Sequence, residues 1–111
     1  MIKSTVCYLV HDEKWLMLLR NKKQHDLNHG KWIGVGGKLK TNETPYECMV
    51  REVIEETGYQ VQSALYCGII HFHYEHHEDE EIYVYQTSDY VGTLHECSEG
   101  TLAYIPKKDI L

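Results

Sequence analysis

Residues 37–59 read GKLKTNETPYECMVREVIEETGY, and they contain the strongest structural signals of this 111-residue chain. Thr44 and Glu47 match a capping box around Pro45, and Gly58 is a good C-terminal stop. These signals predict a helix over 45–57. On a helical wheel its apolar residues share one broad face, which we expect to be buried. That face contains Tyr46, Met49, Val50, Val53, Ile54 and Thr57.

Three glutamates, Glu52, Glu55 and Glu56, fall on another face, which we expect to be exposed. Their spacings of three and four residues bring the carboxylates close together, so that they repel one another. Such crowding is expected where divalent cations bind, because Mg2+ prefers carboxylate, carbonyl and water ligands. A solvated acidic face fits the helix alone equally well, because glutamate is a good helix former.

The rest of the chain predicts strands on both sides of this helix. Period-two and β-rich patterns mark strands at 2–10, 15–20, 32–40, 60–74, 80–90 and 101–105, with a polar loop at 21–31. No repeat or linker interrupts them, and the length suits one hydrophobic core. We therefore expect a single α/β (α+β) domain over 1–111.

Composition narrows the function classes. The net charge of −6 argues against binding to a nucleic-acid polymer, which relies on basic patches. No apolar run approaches the ~20 residues of a membrane span, and the start has no signal peptide. Four cysteines without a CxxC pair are typical of thiols in a reducing cytoplasm. We expect a cytoplasmic protein that does not bind membranes.

Basic residues are concentrated just before the acidic helix. Residues 20–40 hold one acid, Asp26, against six bases: Arg20, Lys22, Lys23, Lys31, Lys38 and Lys40. A positive rim beside a negative patch suits an anionic ligand that is reached through metal ions. A solvated lysine-rich loop is the alternative interpretation of this segment alone.

The stretch 37–59 resembles the Nudix box, GX5EX7REUXEEXGU, in which U is a bulky apolar residue. Every fixed position is matched, by Gly37, Glu43, Arg51, Glu52, Glu55, Glu56 and Gly58, with Val53 and Tyr59 as the apolar ones. Tyr59 replaces a more usual aliphatic residue, and an aromatic ring can fill the same core site. The resemblance implies a Nudix hydrolase, with the box helix on one face of a mixed sheet.

Site residues follow from the resemblance. It implies Mg2+, with Mn2+ as an alternative, held by Glu52, Glu55, Glu56, the Gly36 carbonyl and Glu99, with Glu96 in reserve for Glu99. Arg51 would orient the glutamates, and Glu43 would be an outer ligand or an orienting group. Either Glu55 or Glu56 would be the general base. Lys38 would reach a phosphate, and Arg20 and Lys22 would belong to the same basic rim. Trp32 would stack on a base or be a buried structural residue.

The substrate class is also implied by resemblance. Residues 30–39, GKWIGVGGKL, are similar to the approach to the box in 8-oxo-dGTP diphosphatases. This implies hydrolysis of a nucleoside triphosphate, such as an oxidised purine, to a monophosphate and pyrophosphate. Ile33 departs from the base-reading asparagine of the animal enzymes. One alternative is a dinucleoside polyphosphate substrate, which Tyr74 would suit. The other is a non-catalytic nucleotide sensor, which an intact box disfavours.

Two features lie outside the box. His71, His73, His76 and His77 form either a transition-metal site or a polar hairpin rim. The Nudix fold has a second helix near its C-terminus, whereas this sequence ends at IPKKDIL. We therefore expect that helix to be missing or only begun, so that apolar strand residues are exposed. We expect either that the 111 residues are a shortened form or that a partner copy in a homodimer covers the exposed face of the sheet.

Overall fold

The structure, a computed structural model, describes residues 1–20, 31–98 and 100–109. In chain order it contains β1 (Ile2–His11), β2 (Lys14–Leu19), β3 (Trp32–Ile33), β4 (Val35–Lys38), α1 (Pro45–Thr57), β5 (Tyr59–Phe72), β6 (Glu80–Gly92) and β7 (Thr101–Pro106). The predicted strand at 32–40 is therefore two short strands separated at Gly34.

Strand β1 organises the sheet because it has neighbours on both edges. One edge pairs in parallel with β6 from Ile2 to Leu9. On the other edge, the first half of β1 pairs with β4 and the last residues pair with β2, both antiparallel. Strand β2 then continues away from β1 and pairs with β3 on the same edge and β7 on the other. Within the described residues, strand β5 pairs with β6 alone and forms the outer edge of the sheet. The predicted mixed sheet is confirmed.

Helix α1 begins and ends where the sequence predicts. The Thr44 side chain accepts from the Glu47 backbone N–H at 3.1 Å, and the Glu47 carboxylate accepts from the Thr44 N–H at 2.9 Å. Gly58 ends the helix in the left-handed region at φ 86°, a conformation that favours glycine. Strand β5 starts at the next residue, so the caps also fix the entry to the long hairpin.

The core lies between α1 and the sheet. Met49 and Val53 of the helix are fully buried against strand residues Cys7, Leu9, Leu16, Val35, Val61 and Tyr85. The predicted buried face is partly wrong, because Tyr46 is 40% exposed and Ile54 is 44% exposed. Cys48 is buried instead, with its thiol 3.5 Å from the Gly37 carbonyl. The reason is that the helix also packs against β4, which turns its buried stripe toward the Cys48 side.

The C-terminal end of the described chain contains no second α-helix. Only a short 3-10 turn, Lys107–Asp109, follows β7 in the described residues. Large apolar side chains are exposed, as expected, and five of the eleven found among the described residues lie on β5, namely Leu65, Tyr66, Ile69, Ile70 and Phe72. Among the described residues there is also no helix of the length and hydropathy that crossing a bilayer requires.

Candidate active site

Arg51 is the centre of a salt-bridge network at the N-terminal part of the box. Its Nε and Nη2 atoms donate to the two Glu43 carboxylate oxygens at 2.7 and 3.0 Å, a bidentate pair. Its Nη1 donates to Glu52 at 2.6 Å, and Nη2 also donates to the Lys38 carbonyl at 3.1 Å. A longer contact of 3.5 Å joins Nη1 to Glu55. One guanidinium therefore ties the helix to β4 and to the loop that precedes the helix.

Glu43 and Arg51 strongly stabilise each other's charged forms. The hydrogen bonds from Arg51, and next the backbone N–H of Lys40, lower the pKa of Glu43 from 4.5 to about 2. The Glu43 hydrogen bond in turn raises the pKa of Arg51. Both groups are therefore ionised at any physiological pH.

Two glycines let the helix carboxylate approach the sheet. A Cβ on Gly37 would lie 2.5 Å from the Glu52 carboxyl carbon and 2.7 Å from both of its oxygens. A Cβ on Gly36 would lie 1.9 Å from the Thr5 carbonyl oxygen of β1. Neither position can hold a larger residue without displacing its neighbour. The box glycine thus leaves the space that the Glu52 carboxylate fills.

The three helix glutamates have different environments. Glu55 is the exposed one, with 55% of its side chain accessible. Glu52 is half-buried and bonded to Arg51, and Glu56 is only 9% exposed. The expectation that all three are exposed is therefore wrong for Glu56, because the buried stripe of α1 ends in Glu56 and Thr57.

These residues line a cleft of about 510 Å3 on the surface beside α1 and β4. Its walls carry both charge signs close together, and it gathers most of the predicted site residues. Its lining residues are Arg20, Gly36, Gly37, Lys38, Lys40, Arg51, Glu52, Glu55, Glu56, Cys97 and Ser98.

Several predicted site residues lie elsewhere. Glu43 stands behind Arg51 rather than in the cleft wall. Trp32 does not line the cleft, and at 44% exposure it is not the buried structural tryptophan of one interpretation. Lys22 and Glu99 lie outside the described residues. The reserve acid, Glu96, is exposed and does not line this cleft.

Sequence reasoning counted Lys40 only as part of the basic rim and assigned no role to Cys97 or Ser98. Lys40 follows Lys38 by two residues, and this alternation could have indicated a shared side of an extended segment. Cys97 and Ser98 directly precede Glu99 in the sequence, and both line the cleft together with the helix glutamates. No sequence signal marked either residue.

The donor chemistry of the cleft fits a hard divalent cation. The Glu52 carboxylate lies against Gly37, Glu55 and Glu56 line the same cleft, and oxygen ligands are those that Mg2+ prefers. Within residues 1–20, 31–98 and 100–109, no three His, Cys, Asp or Glu side chains are already gathered as a metal site. Arg51 holds the Glu52 carboxylate, and the implied set also includes a backbone carbonyl and Glu99.

The histidine-rich hairpin is a polar rim. His73 Nδ1 lies 2.8 Å from one Asp79 oxygen, and His71 Nε2 lies 3.4 Å from the other. All three side chains are exposed to a large degree. These contacts satisfy the histidines within the hairpin, which favours the rim over the transition-metal interpretation.

Comparison with known proteins assigns the family. The Nudix domain model matches residues 1–109. The chain belongs to the Nudix family. It is 31% identical over 83 residues to the oxidized purine nucleoside triphosphate hydrolase of Danio rerio. The aligned region covers 74% of this chain and 53% of that protein. This Nudix chain therefore spans about half the length of that relative.

Solved structures agree with the fold of this Nudix domain. The MutT protein from Methanosarcina mazei Go1 is 25% identical, with a TM-score of 0.84 over 99% of this chain and 80% of that chain. The mutator MutT protein from Bacillus halodurans is 23% identical, with a TM-score of 0.82 over 99% of this chain and 71% of the other. The α+β Nudix fold expected from the box is confirmed.

Proposed function

We propose that this Nudix domain hydrolyses a nucleoside triphosphate to a nucleoside monophosphate and pyrophosphate. The observation that carries the proposal is the cleft in which three glutamates face the cationic side chains of Arg20 and Lys38. Carboxylates with bound metal ions and lysine or arginine together match a polyphosphate, which needs its charge neutralised along its length.

Mg2+, with Mn2+ as the alternative, is the proposed cofactor. Glu52, Glu55, Glu56 and the Gly36 carbonyl would hold it, together with Glu99 from the loop after Ser98. When bound, the metal would screen the phosphate charge and make water a better nucleophile. The fit of Glu52 over Gly37 supports this ligand set.

The chain's own residues then have separate roles. Arg51 is a positioning residue, because its bonds to Glu43 and Glu52 fix the orientation of the glutamate carboxylates. Glu55 or Glu56 accepts the proton of the attacking water as general base. Lys38, Arg20 and Lys22 bind the phosphates electrostatically.

The proposed substrate is a purine triphosphate, with oxidised purines such as 8-oxo-dGTP among the candidates. The similarity to the oxidized purine nucleoside triphosphate hydrolase of Danio rerio supports this class. Trp32 offers an exposed indole on β3 on which a base can stack. We further propose that residues 1–111 act as one domain, in the cytoplasm. The family match over 1–109 and the four cysteines, none of which forms a disulfide, support this.

A substrate panel with Mg2+ tests the proposal. Each nucleotide is incubated with the protein, and orthophosphate and pyrophosphate release are measured separately. We expect pyrophosphate from nucleoside triphosphates, with purines turned over fastest. Faster turnover of dinucleoside polyphosphates would favour that second substrate class. Tight nucleotide binding without turnover of any nucleotide would contradict the enzyme and favour the sensor.

A further inference from the structure

We propose that Lys40 is a specificity-determining residue that binds the terminal phosphate of the substrate. Its contact would make a nucleoside triphosphate a better substrate than the diphosphate of the same base. The inference rests on the proposed function, because it assigns a phosphate of the same substrate to a further side chain of the same cleft.

Lys38 and Lys40 are placed to contact different phosphates of one chain. Strand β4 ends at Lys38, and its pairing with β1 continues one residue further, where the Leu39 N–H donates to the Lys3 carbonyl at 2.9 Å. Side chains two residues apart on an extended segment share one side and are separated by about 7 Å. Both lysines line the cleft of the glutamates.

The backbone of Lys40 is held by the salt-bridge network of the site. Its N–H donates to a Glu43 carboxylate oxygen at 2.9 Å, and its carbonyl accepts from the Glu43 N–H at 3.1 Å. Glu43 is in turn held by Arg51 at 2.7 Å. Lys40 is therefore anchored relative to the glutamates, which is the requirement for reading the length of a substrate.

The ammonium groups of Lys38 and Lys40 are available to a ligand. The guanidinium of Arg51, by contrast, already donates hydrogen bonds to Glu43, Glu52 and the Lys38 carbonyl. In the part of the chain that the structure describes, neither lysine forms an ion pair. An anion that enters the cleft thus meets two lysines whose charges are not neutralised by the protein.

The position of Lys40 in the cleft indicates how the substrate is oriented there. Lys40 also lines a second cleft, together with Lys3 and Tyr83, so it stands at one end of the first. Arg20, in the same first cleft, is bonded through its backbone N–H to the Lys31 carbonyl, next to Trp32. This geometry puts the base toward Trp32 and the terminal phosphate toward Lys40.

The charge and the length of the phosphate chain explain why a nucleoside triphosphate would be preferred to the diphosphate of the same base. A terminal phosphate carries nearly two negative charges near neutral pH, because its second pKa is near 6. A diphosphate anchored with its base toward Trp32 has one phosphate less, and it ends before Lys40. Only the triphosphate then gains the contact.

The test uses Lys40→Gln, with Lys40→Arg as the conservative variant and Lys3→Gln as the matched control. Lys3 is an exposed lysine beside Leu39, and it lines the second cleft but not the first. The kcat and KM are measured with Mg2+ for a purine triphosphate and the diphosphate of the same base. Binding of inorganic tripolyphosphate is measured by calorimetry.

For Lys40→Gln we expect KM for the triphosphate to rise about tenfold, the loss typical of one charge-assisted hydrogen bond. We expect kcat and the constants for the diphosphate to stay near those of the wild type. Lys40→Arg should restore KM, and Lys3→Gln should resemble the wild type. Tripolyphosphate affinity should fall in Lys40→Gln but not in Lys3→Gln.

Equal losses for the two nucleotides, or equal losses in Lys40→Gln and Lys3→Gln, would overturn the inference. An unchanged KM in Lys40→Gln would do the same. A wild type that hydrolyses no nucleotide would refute the proposed function instead. Tripolyphosphate binding would then still decide on Lys40, since equal affinity in the two variants would reject it.

Discussion

Among single residues, Arg51 explains why the candidate site is ordered despite its crowded negative charge. Its guanidinium bonds Glu43 and Glu52 and reaches toward Glu55, so the repulsion between carboxylates is partly offset. The carboxylates that Arg51 contacts can therefore lie close to one another. Glu43 lies behind Arg51, and Arg51 lines the cleft together with the three helix glutamates that it helps to position.

Loss of either candidate base should abolish most of the activity. We expect Glu55→Gln and Glu56→Gln each to lower kcat at least ~100-fold, because each removes a metal-linked or general-base carboxylate. Glu55→Gln should leave the free energy of unfolding unchanged or slightly higher without metal, because it relieves repulsion on an exposed face. Glu75→Gln, in the exposed turn after β5, is the matched control. Near-normal kcat in both site variants would refute these roles.

The Glu43–Arg51 pair predicts a specific dependence of stability on pH. Because Arg51 lowers the pKa of Glu43 from 4.5 to about 2, ionised Glu43 stabilises the fold above the higher value. That stabilisation is lost as the pH falls from 4.5 toward about 2. We expect Glu43→Gln to be less stable than the wild type at neutral pH, with the difference shrinking over this range. Urea unfolding at several pH values measures it, and a difference that does not change with pH would contradict the assignment.

At the level of elements, the hairpin β5–β6 and strand β7 are joined by a tyrosine cluster. The Tyr104 hydroxyl lies 2.8 Å from that of Tyr90 and 3.3 Å from that of Tyr59. Tyr59 is the residue that takes the last apolar position of the Nudix box, and its ring lies 4.8 Å from that of Tyr90. The aromatic residue there fills the core site and also links three strands.

Removal of one hydroxyl should therefore weaken the sheet. We expect Tyr104→Phe to lower the free energy of unfolding by about 1 kcal/mol, the usual contribution of a hydrogen bond, without changing kcat. Burial raises the pKa of Tyr104 to about 12, so the neutral form stabilises the fold at neutral pH. The stabilisation present below the ordinary value of 10.0 should be lost as the pH rises toward about 12. Thermal unfolding of both proteins across this range tests it; equal stability throughout would contradict the prediction.

Helix α1 could be predicted closely because its signals are local: the capping box, Pro45 and Gly58 all act within a few residues. The burial of its faces could not, because that depends on which strands the helix meets. Contact with β4 buries Cys48, whereas Ile54 on the same helix stays 44% exposed. The box resemblance indicated most of the cleft. The sequence placed Lys40 only in the basic rim, since its position in the cleft depends on how the loop at 40–43 folds back on Arg51.

At the scale of the whole molecule, the uncovered edge of the sheet is the feature that needs a partner. Strand β5 is 14 residues long, lies at the outer edge and contains no Lys, Arg, Asp or Glu. Native edge strands usually carry charges that prevent pairing with another chain. Leu65, Ile69 and Ile70 are exposed on this strand. We therefore retain the expectation of a homodimer that buries β5.

Light scattering tests that expectation directly. The wild type should have twice the 13.0 kDa mass of one chain, and Ile69→Lys should shift it toward the monomer by adding a charge to the edge. Ser98→Lys, at an exposed position outside β5 and β6, is the control for an added charge. A wild type that stays monomeric over the whole concentration range would contradict the homodimer.

The central claim, hydrolysis at an internal phosphorus of a nucleoside triphosphate, is tested most directly by the fate of solvent oxygen. The wild type is incubated with Mg2+ and a purine triphosphate in oxygen-18 water, and the products are analysed by mass spectrometry. We predict nucleoside monophosphate and pyrophosphate, with the label in one of these two and none in orthophosphate. Labelled orthophosphate as the primary product, formed with the diphosphate, would contradict the account.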